Sequence, residues 1–284
     1  MTRSLVPVTR TAEDTVTEPQ RRNKAMTSLR HSLNLKNGGV ISLVGAGGKT
    51  SLMFRLVREL SGQGDSVLST TTTKIYVPNR EQSSKVLISK SASTFVTAAR
   101  SILKRHPHIS AGSRRIPFQN KLKGFAPEAI DAIWQSGIFR WIVVEADGAA
   151  GRPVKAPAFH EPVIPQCTKW VIGIVGLKAV GKPLTERWVF RPQRVSQITG
   201  LAEGSILTES AIVDLLIAEN GILKGVPAGA TRWAFLNQAD SQDRLESGRK
   251  ISQMLVRQEK SGFTGVIVGQ TLHEPTVKEY YYKY

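Results

Sequence analysis

Short unbroken apolar runs alternate along this chain with longer stretches in which apolar residues recur every three or four positions. Residues 40–44, 139–145, 170–175, 232–236 and 265–268 read as strands buried on both faces, and 66–70 and 85–88 as two shorter ones. Between them the spacing predicts helices. Leu52, Met53, Leu56, Val57 and Leu60 share one face of a helix over 50–61, which Gly62 and Gly64 end. Phe95, Val96, Ala99, Ile102 and Leu103 do the same over 92–104. Further helices are predicted over 127–135, with Pro127 at its first position, and over 209–218 and 242–260. Residues 106–126, with Pro107, Gly112, Pro117 and Gly124, read as a basic loop. Strands of this kind alternating with helices imply an α/β fold, a mostly parallel sheet flanked by helices.

The first 25 residues break the pattern. They have no helical period and lack the apolar segment of a secretory signal, so they read as a disordered tail before a single domain over 26–284. Met26 is then an alternative translation start. Elsewhere no stretch approaches the ~20 continuous apolar residues of a membrane helix. The one cysteine, Cys167, excludes an internal disulfide and a Cys-based zinc site, and fits a reducing cytoplasm. A net charge of +17 favours anionic partners. The basic residues are scattered and form no aromatic-interleaved basic motif, so a solvated basic surface is expected rather than specific nucleic-acid binding.

Four segments carry candidate chemistry. The first is Gly45-Ala46-Gly47-Gly48-Lys49-Thr50, with Ser51, between a strand and a helix. Helix N-termini and Gly-rich turns present N–H groups to anions. Lys49 would reach the β and γ phosphates of ATP or GTP, and the Thr50 hydroxyl would ligate Mg2+. The usual GxxxxGK[ST] pattern needs Gly where Leu43 stands, so the loop is a shortened GxxGKT, and a plain Gly-rich turn is the bland alternative. The second segment ends the apolar strand 139–145: Glu145 and Asp147, two apart, are candidates for magnesium, and spacing does not choose between them. The third is the threonine row 70–73, where Thr72 and Lys74 could respond to a γ-phosphate or simply fill a strand. The fourth is Asn237-Gln238-Ala239-Asp240. Asn237 and Asp240 have the spacing that reads guanine in many GTPases, although Gln238 replaces the usual Lys and Asp240 could equally cap a helix. Beyond these, Lys121, Lys123, Lys155, His160 and Glu161 are candidates for a second, anionic substrate, with His160 and Glu161 on a Pro-fixed loop as a possible general-base pair or as structural side chains.

Taken together, "GGVISLVGAGGKTSLMFRL", "STTTTKI", "KLKGFAPEAID", "VVEADGAAGRPVKAPAFHEPVIP", "VIGIVGLKAVGKPL" and "FLNQAD" resemble the YqeC family. The resemblance implies a cytoplasmic P-loop nucleotide-binding protein, an accessory factor in the maturation of selenium-dependent molybdenum hydroxylases, with such an enzyme or its cofactor as partner. A His often precedes the Arg-Pro pair in the family; Phe190 stands there in this chain. The short loop is also similar to that of the Mur ligases, which activate a carboxylate with ATP and hold magnesium on a Glu at a strand end. That similarity points to Glu145. An NTPase, an ATP-dependent ligase or kinase, and a non-catalytic carrier of a phosphorylated, molybdopterin-type cofactor are the readings the motifs leave open.

Overall fold

A computed structural model describes residues 21–22, 27–258 and 261–283. The expected disordered tail lies outside the described residues, apart from Arg21 and Arg22. In chain order the strands are β1 (Arg21–Arg22), β2 (Gly39–Gly45), β3 (Val67–Thr71), β4 (Lys74–Tyr76), β5 (Val86–Ile88), β6 (His108–Gly112), β7 (Arg114–Ile116) and β8 (Lys121–Lys123). They continue with β9 (Trp141–Glu145), β10 (Val154–Lys155), β11 (Thr168–Gly176), β12 (Val189–Phe190), β13 (Thr231–Asn237), β14 (Gly265–Gly269) and β15 (Val277–Tyr282). The helices are α1 (Leu29–Ser32), α2 (Lys49–Ser61), α3 (Ala92–Leu103), α4 (Pro127–Gln135), α5 (Pro192–Thr199), α6 (Glu209–Ile217) and α7 (Gln242–Arg257).

The main sheet runs β1-β15-β14-β13-β11-β2-β9-β3-β6-β5. From β14 to β5 every pairing is parallel; β15 and β1 add an antiparallel edge. The alternation of side chains across each strand then decides which helix covers what. Ile41, Leu43, Trp141, Val143, Ile172 and Ile174 pack with Leu52, Met53, Leu56 and Leu60 of α2 on one face. On the other face Val40, Ile142 and Val144 meet α3 and α4, and Val44, Val171 and Val175 meet α6 and α7. Both faces are therefore covered, which is why these strands carry no polar alternation. The architecture is α/β, a mostly parallel sheet flanked by helices.

Strand β2 sits in the middle, between β9 and β11. The chain leaves β2 through α2 and returns in β3, beyond the place that β9 later fills. Ligands in open parallel sheets bind at such switch points, outside the carboxyl ends of the strands. Helix starts follow local rules: Ser91, Thr208 and Ser241 accept from the N–H groups of Thr94, Ala211 and Arg244, and α4 and α5 begin on Pro127 and Pro192.

The reading of 106–126 as loop is corrected. His108–Gly112 joins the main sheet beside β3, and β4-β8-β7 make a separate three-stranded antiparallel sheet. These strands are short and mostly polar, so they lack the apolar run that announced the others. The small sheet is fastened to the end of β3 by Gly124 N–H donating to Thr73 O at 2.8 Å and Phe125 N–H to Thr71 O at 3.0 Å. A Cβ on Gly124 would lie 1.8 Å from Thr71 O, a backbone atom that cannot swing aside. Gly124→Ala should therefore destabilise the protein by about 1–3 kcal/mol in urea denaturation. An unchanged denaturation midpoint would refute this close fit.

Candidate nucleotide-binding site

A cavity of about 860 Å³ opens at the carboxyl ends of β2, β3 and β9. Its walls are 47–51, 72–76, Lys121, Lys123, Glu145, 148–152, His160, Glu161 and Gln238. Nearly every segment singled out in the sequence thus reaches one cleft.

The Gly-rich loop divides into two halves. Gly45 N–H donates to Asp147 Oδ2 at 3.0 Å, Ala46 N–H to Ile174 O at 2.8 Å and Gly47 N–H to Arg152 O at 3.1 Å. These three amides brace the loop and are not free for a phosphate, contrary to the expectation that Gly45, Ala46 and Gly47 hold the nucleotide. The α2 end differs: Gly48 is its N-cap, no side chain caps it, and its first turn carries no acid. The first N–H groups of a helix have no partner inside it, so this end is where an anion would be held.

Gly48 has φ 129 and Asn237 Nδ2 stands 2.1 Å from where its Cβ would be. Asn237 occupies that place because its Nδ2 donates to Gly47 O at 2.6 Å and to Thr271 Oγ1 at 3.2 Å, while its Oδ1 accepts from Thr271 N–H at 3.0 Å. Asn237 was expected to read guanine; its amide instead ties the loop to Thr271, two residues past β14. Asp240 is exposed and paired with Arg244 at 2.6 Å. Gln238, between them, has φ 68 and lines the cavity with a buried Oε1 that accepts no hydrogen bond.

Lys49 is buried at the mouth of the loop, 4% exposed, with Nζ donating to Gly45 O at 2.6 Å and lying 3.1 Å from Asp147 Oδ1 and 3.9 Å from Glu145 Oε1. The Thr50 hydroxyl donates to Glu145 Oε2 at 2.7 Å. Burial raises the Glu145 carboxyl above its ordinary range, against the pull of Lys49 and Thr50. The two acids therefore separate in role. Glu145 lines the cavity beside the Thr50 hydroxyl, whereas Asp147 Oδ2 is taken by Gly45 N–H and by Lys155 Nζ at 2.9 Å. Among the described residues no cluster of three His, Cys, Asp or Glu side chains could hold a metal on protein ligands alone. A hydroxyl and one carboxylate beside an anion-binding helix end do fit magnesium, which takes few protein oxygens and completes its shell with phosphates and water.

Lys155 was expected to touch substrate. The structure buries it completely: Nζ bridges Asp147 Oδ2 and Glu161 Oε2, at 2.9 and 2.8 Å, and donates to Gly148 O at 2.6 Å. Glu161 Oε2 also accepts from Arg191 Nη1 at 2.7 Å and Ala158 N–H at 3.1 Å. A carboxylate held this way is no general base. Burial alone would raise it, but the hydrogen bonds from Arg191 and Lys155 outweigh that and bring it down to about 2. Arg191 was missed in the sequence. It lies 30 residues from Glu161, and only its Arg-Pro context, with φ 65 where α5 starts, marks it.

His160 is exposed on the cavity wall, and Lys74, Lys121 and Lys123 line it from the small sheet. In the threonine row, Thr71 Oγ1 donates to Glu145 O at 2.6 Å and Thr72 Oγ1 to Val163 O at 2.8 Å. The row thus ties the acid strand and the Pro-rich wall to β3. Thr72 spends its proton on that wall.

The YqeC protein family matches residues 41–193. The Escherichia coli (strain K12) protein YqeC is 34% identical over 250 residues, 85% of this chain and 91% of that protein. The chain belongs to the YqeC family. Among solved structures, FtsY from Mycoplasma mycoides overlaps 82% of this chain with a TM-score of 0.30 and 9% identity, and the chain spans about half (52%) of its length. No described helix is long and apolar enough to cross a membrane.

In this YqeC-family chain Cys167 packs at the edge of the α3–α4 cluster, and its N–H donates to Asp131 Oδ1 at 2.9 Å. Burial and the neighbouring Asp131 carboxylate push its thiol well above the usual range, which makes it a poor nucleophile. The Glu161 cluster gives a pH signature. A carboxyl lowered from 4.5 to about 2 stabilises the fold fully above pH 4.5, and that contribution disappears as pH falls toward 2. Glu161→Gln should therefore be less stable than wild type at pH 7 by about 3–5 kcal/mol, with the gap narrowing as pH falls below 4. Urea titrations at pH 7 and pH 3 measure it; a gap independent of pH would refute the assignment.

Proposed function

We propose that this chain is a magnesium-dependent NTP-binding protein and NTPase. The observation that carries the reading is the Thr50 hydroxyl set 2.7 Å from Glu145 Oε2 at the uncapped start of α2, with the Lys49 ammonium beside them. Magnesium bound by Thr50 and Glu145 would neutralise phosphate charge and orient the terminal phosphoryl group. The chain's own residues supply the rest. The amides of the first turn of α2 hold phosphate oxygens, and Lys49 exchanges its carboxylate contact for them. Asp147 keeps the loop in place through Gly45 N–H, and Asn237 keeps it from behind. Gln238 offers its unpartnered Oε1 to a donor of the bound nucleotide, ATP or GTP. Lys74, exposed on the cavity wall, is the side chain of the threonine segment free to meet a γ-phosphate.

The family resemblance supports placing this activity in the maturation of selenium-dependent molybdenum hydroxylases, with such an enzyme or its cofactor as the partner. Isothermal titration with ATP and with GTP, each with magnesium, tests the core of the reading. Wild type should bind one of them, Lys49→Ala should bind it about 100-fold more weakly, and Thr50→Ala should lose the difference that magnesium makes. If wild type binds neither nucleotide, the proposal fails.

A further inference from the structure

The small sheet presents a row of cations of which the nucleotide reading uses only Lys74. Across the strands, Lys74 pairs with Lys123 and Lys123 with Arg114, while Tyr76 pairs with Lys121. Directly opposed residues of antiparallel strands project from the same face. Lys74, Lys123 and Arg114 therefore stand side by side on three neighbouring strands, all exposed, and none forms an ion pair with a described residue. The opposite face carries Ile75 and Leu122, both buried. Like charges placed directly opposite one another destabilise a sheet unless an anion lies between them.

The next pair along completes a different kind of surface. Tyr76 is 67% exposed, and Lys121 Nζ lies 5.1 Å from its ring centroid. Lys74, Tyr76, Lys121 and Lys123 all line the cavity that also contains Thr50 and Glu145. An aromatic ring and a cation row on one wall, facing a phosphate-binding helix end on another, are complementary to a ligand with both a flat ring and an anionic group.

We propose that this face of the small sheet is a second-substrate site, binding the phosphate or carboxylate of a planar, ring-bearing small molecule at Lys123 and Arg114 with its ring against Tyr76. The inference rests on the nucleotide reading only in setting the two ligands in one cleft.

The test uses the full chain saturated with magnesium and the imidotriphosphate analogue of whichever nucleotide it binds, so that the loop is filled. Riboflavin 5′-phosphate is the probe, followed by its fluorescence. It should bind with quenched emission. Lys123→Ala/Arg114→Ala should weaken binding about tenfold or more, since two charge-assisted contacts are lost. Tyr76→Ala should abolish the quenching, and Lys90→Ala/Lys104→Ala, which removes two exposed cations elsewhere, should change nothing. All variants should keep wild-type affinity for the nucleotide analogue, which shows that they are folded and separates this site from the loop. The proposal is overturned if wild type fails to bind the probe, if the Lys123/Arg114 pair has no effect, or if the Lys90/Lys104 pair has the same effect. Displacement of the probe by a single-stranded oligothymidylate of tighter affinity would also overturn it, by assigning the face to nucleic acid. Were the nucleotide analogue itself not to bind, the probe titration on the protein alone would still read out this site.

Discussion

Lys155 is fully buried, Asp147 is 1% exposed and Lys49 is 4% exposed, so the chain holds charges where a lone ion would not be tolerated. Partners make this possible. Glu145 pairs with Lys49, Lys49 with Asp147, Asp147 with Lys155, Lys155 with Glu161 and Glu161 with Arg191. Three acids thus face three bases, and the chain of contacts is neutral. Removing any inner member leaves an uncompensated buried charge, which costs on the order of 3–5 kcal/mol. The geometry of the cleft follows from this constraint. The ladder joins the Gly-rich loop at one end to the Pro-rich wall and the start of α5 at the other, so neither end can move without disturbing the pairs between.

The ladder also ranks the acids. Asp147 is enclosed by Gly45 N–H, Lys49 and Lys155, and its work is structural. Glu145 lies on the cavity surface at the end of β9, raised by burial, hydrogen-bonded by the Thr50 hydroxyl and 3.9 Å from Lys49 Nζ. An entering phosphate would compete with Asp147 and Glu145 for Lys49. The ladder would then lose one cation to the ligand, and a divalent metal at Glu145 and Thr50 is the natural replacement for that positive charge. On the proposed reading, nucleotide and metal binding would be coupled in this way by charge balance around a single lysine.

The core of the fold was legible in the sequence because burial on both faces leaves an unmistakable trace. Strands such as β9 and β11 are built on the unbroken apolar runs 141–144 and 170–176, and α2 repeats Leu52, Leu56 and Leu60 toward the sheet. The loop and its acids were legible for the same reason, since each hangs on the end of such a strand. What escaped was held together by tertiary contacts. The small sheet has strands of three residues, mostly polar, whose one buried row is Ile75 and Leu122. Lys155 and Glu161 looked like exposed substrate ligands because sequence shows charge and not burial. Asn237 matched a base-reading spacing, but its amide meets Gly47 and Thr271, 190 and 34 residues away.

Charge is therefore segregated by depth. The buried ions cancel in pairs, so the net +17 is expressed at the surface and along the cleft. Within the cleft the cations of the small sheet form no ion pair with a described residue, while Glu145 sits deep beside the helix end. A low-dielectric cleft focuses such a field toward its interior. An anion drawn in along the lysines meets first the cation row and then the first turn of α2, where the helix N–H groups continue the same positive path. Were two anionic groups to share this cleft, as proposed, the small-sheet cations would face one and Lys49 with the helix N–H groups the other, with Glu145 and Thr50 placed to hold a magnesium ion beside the helix end.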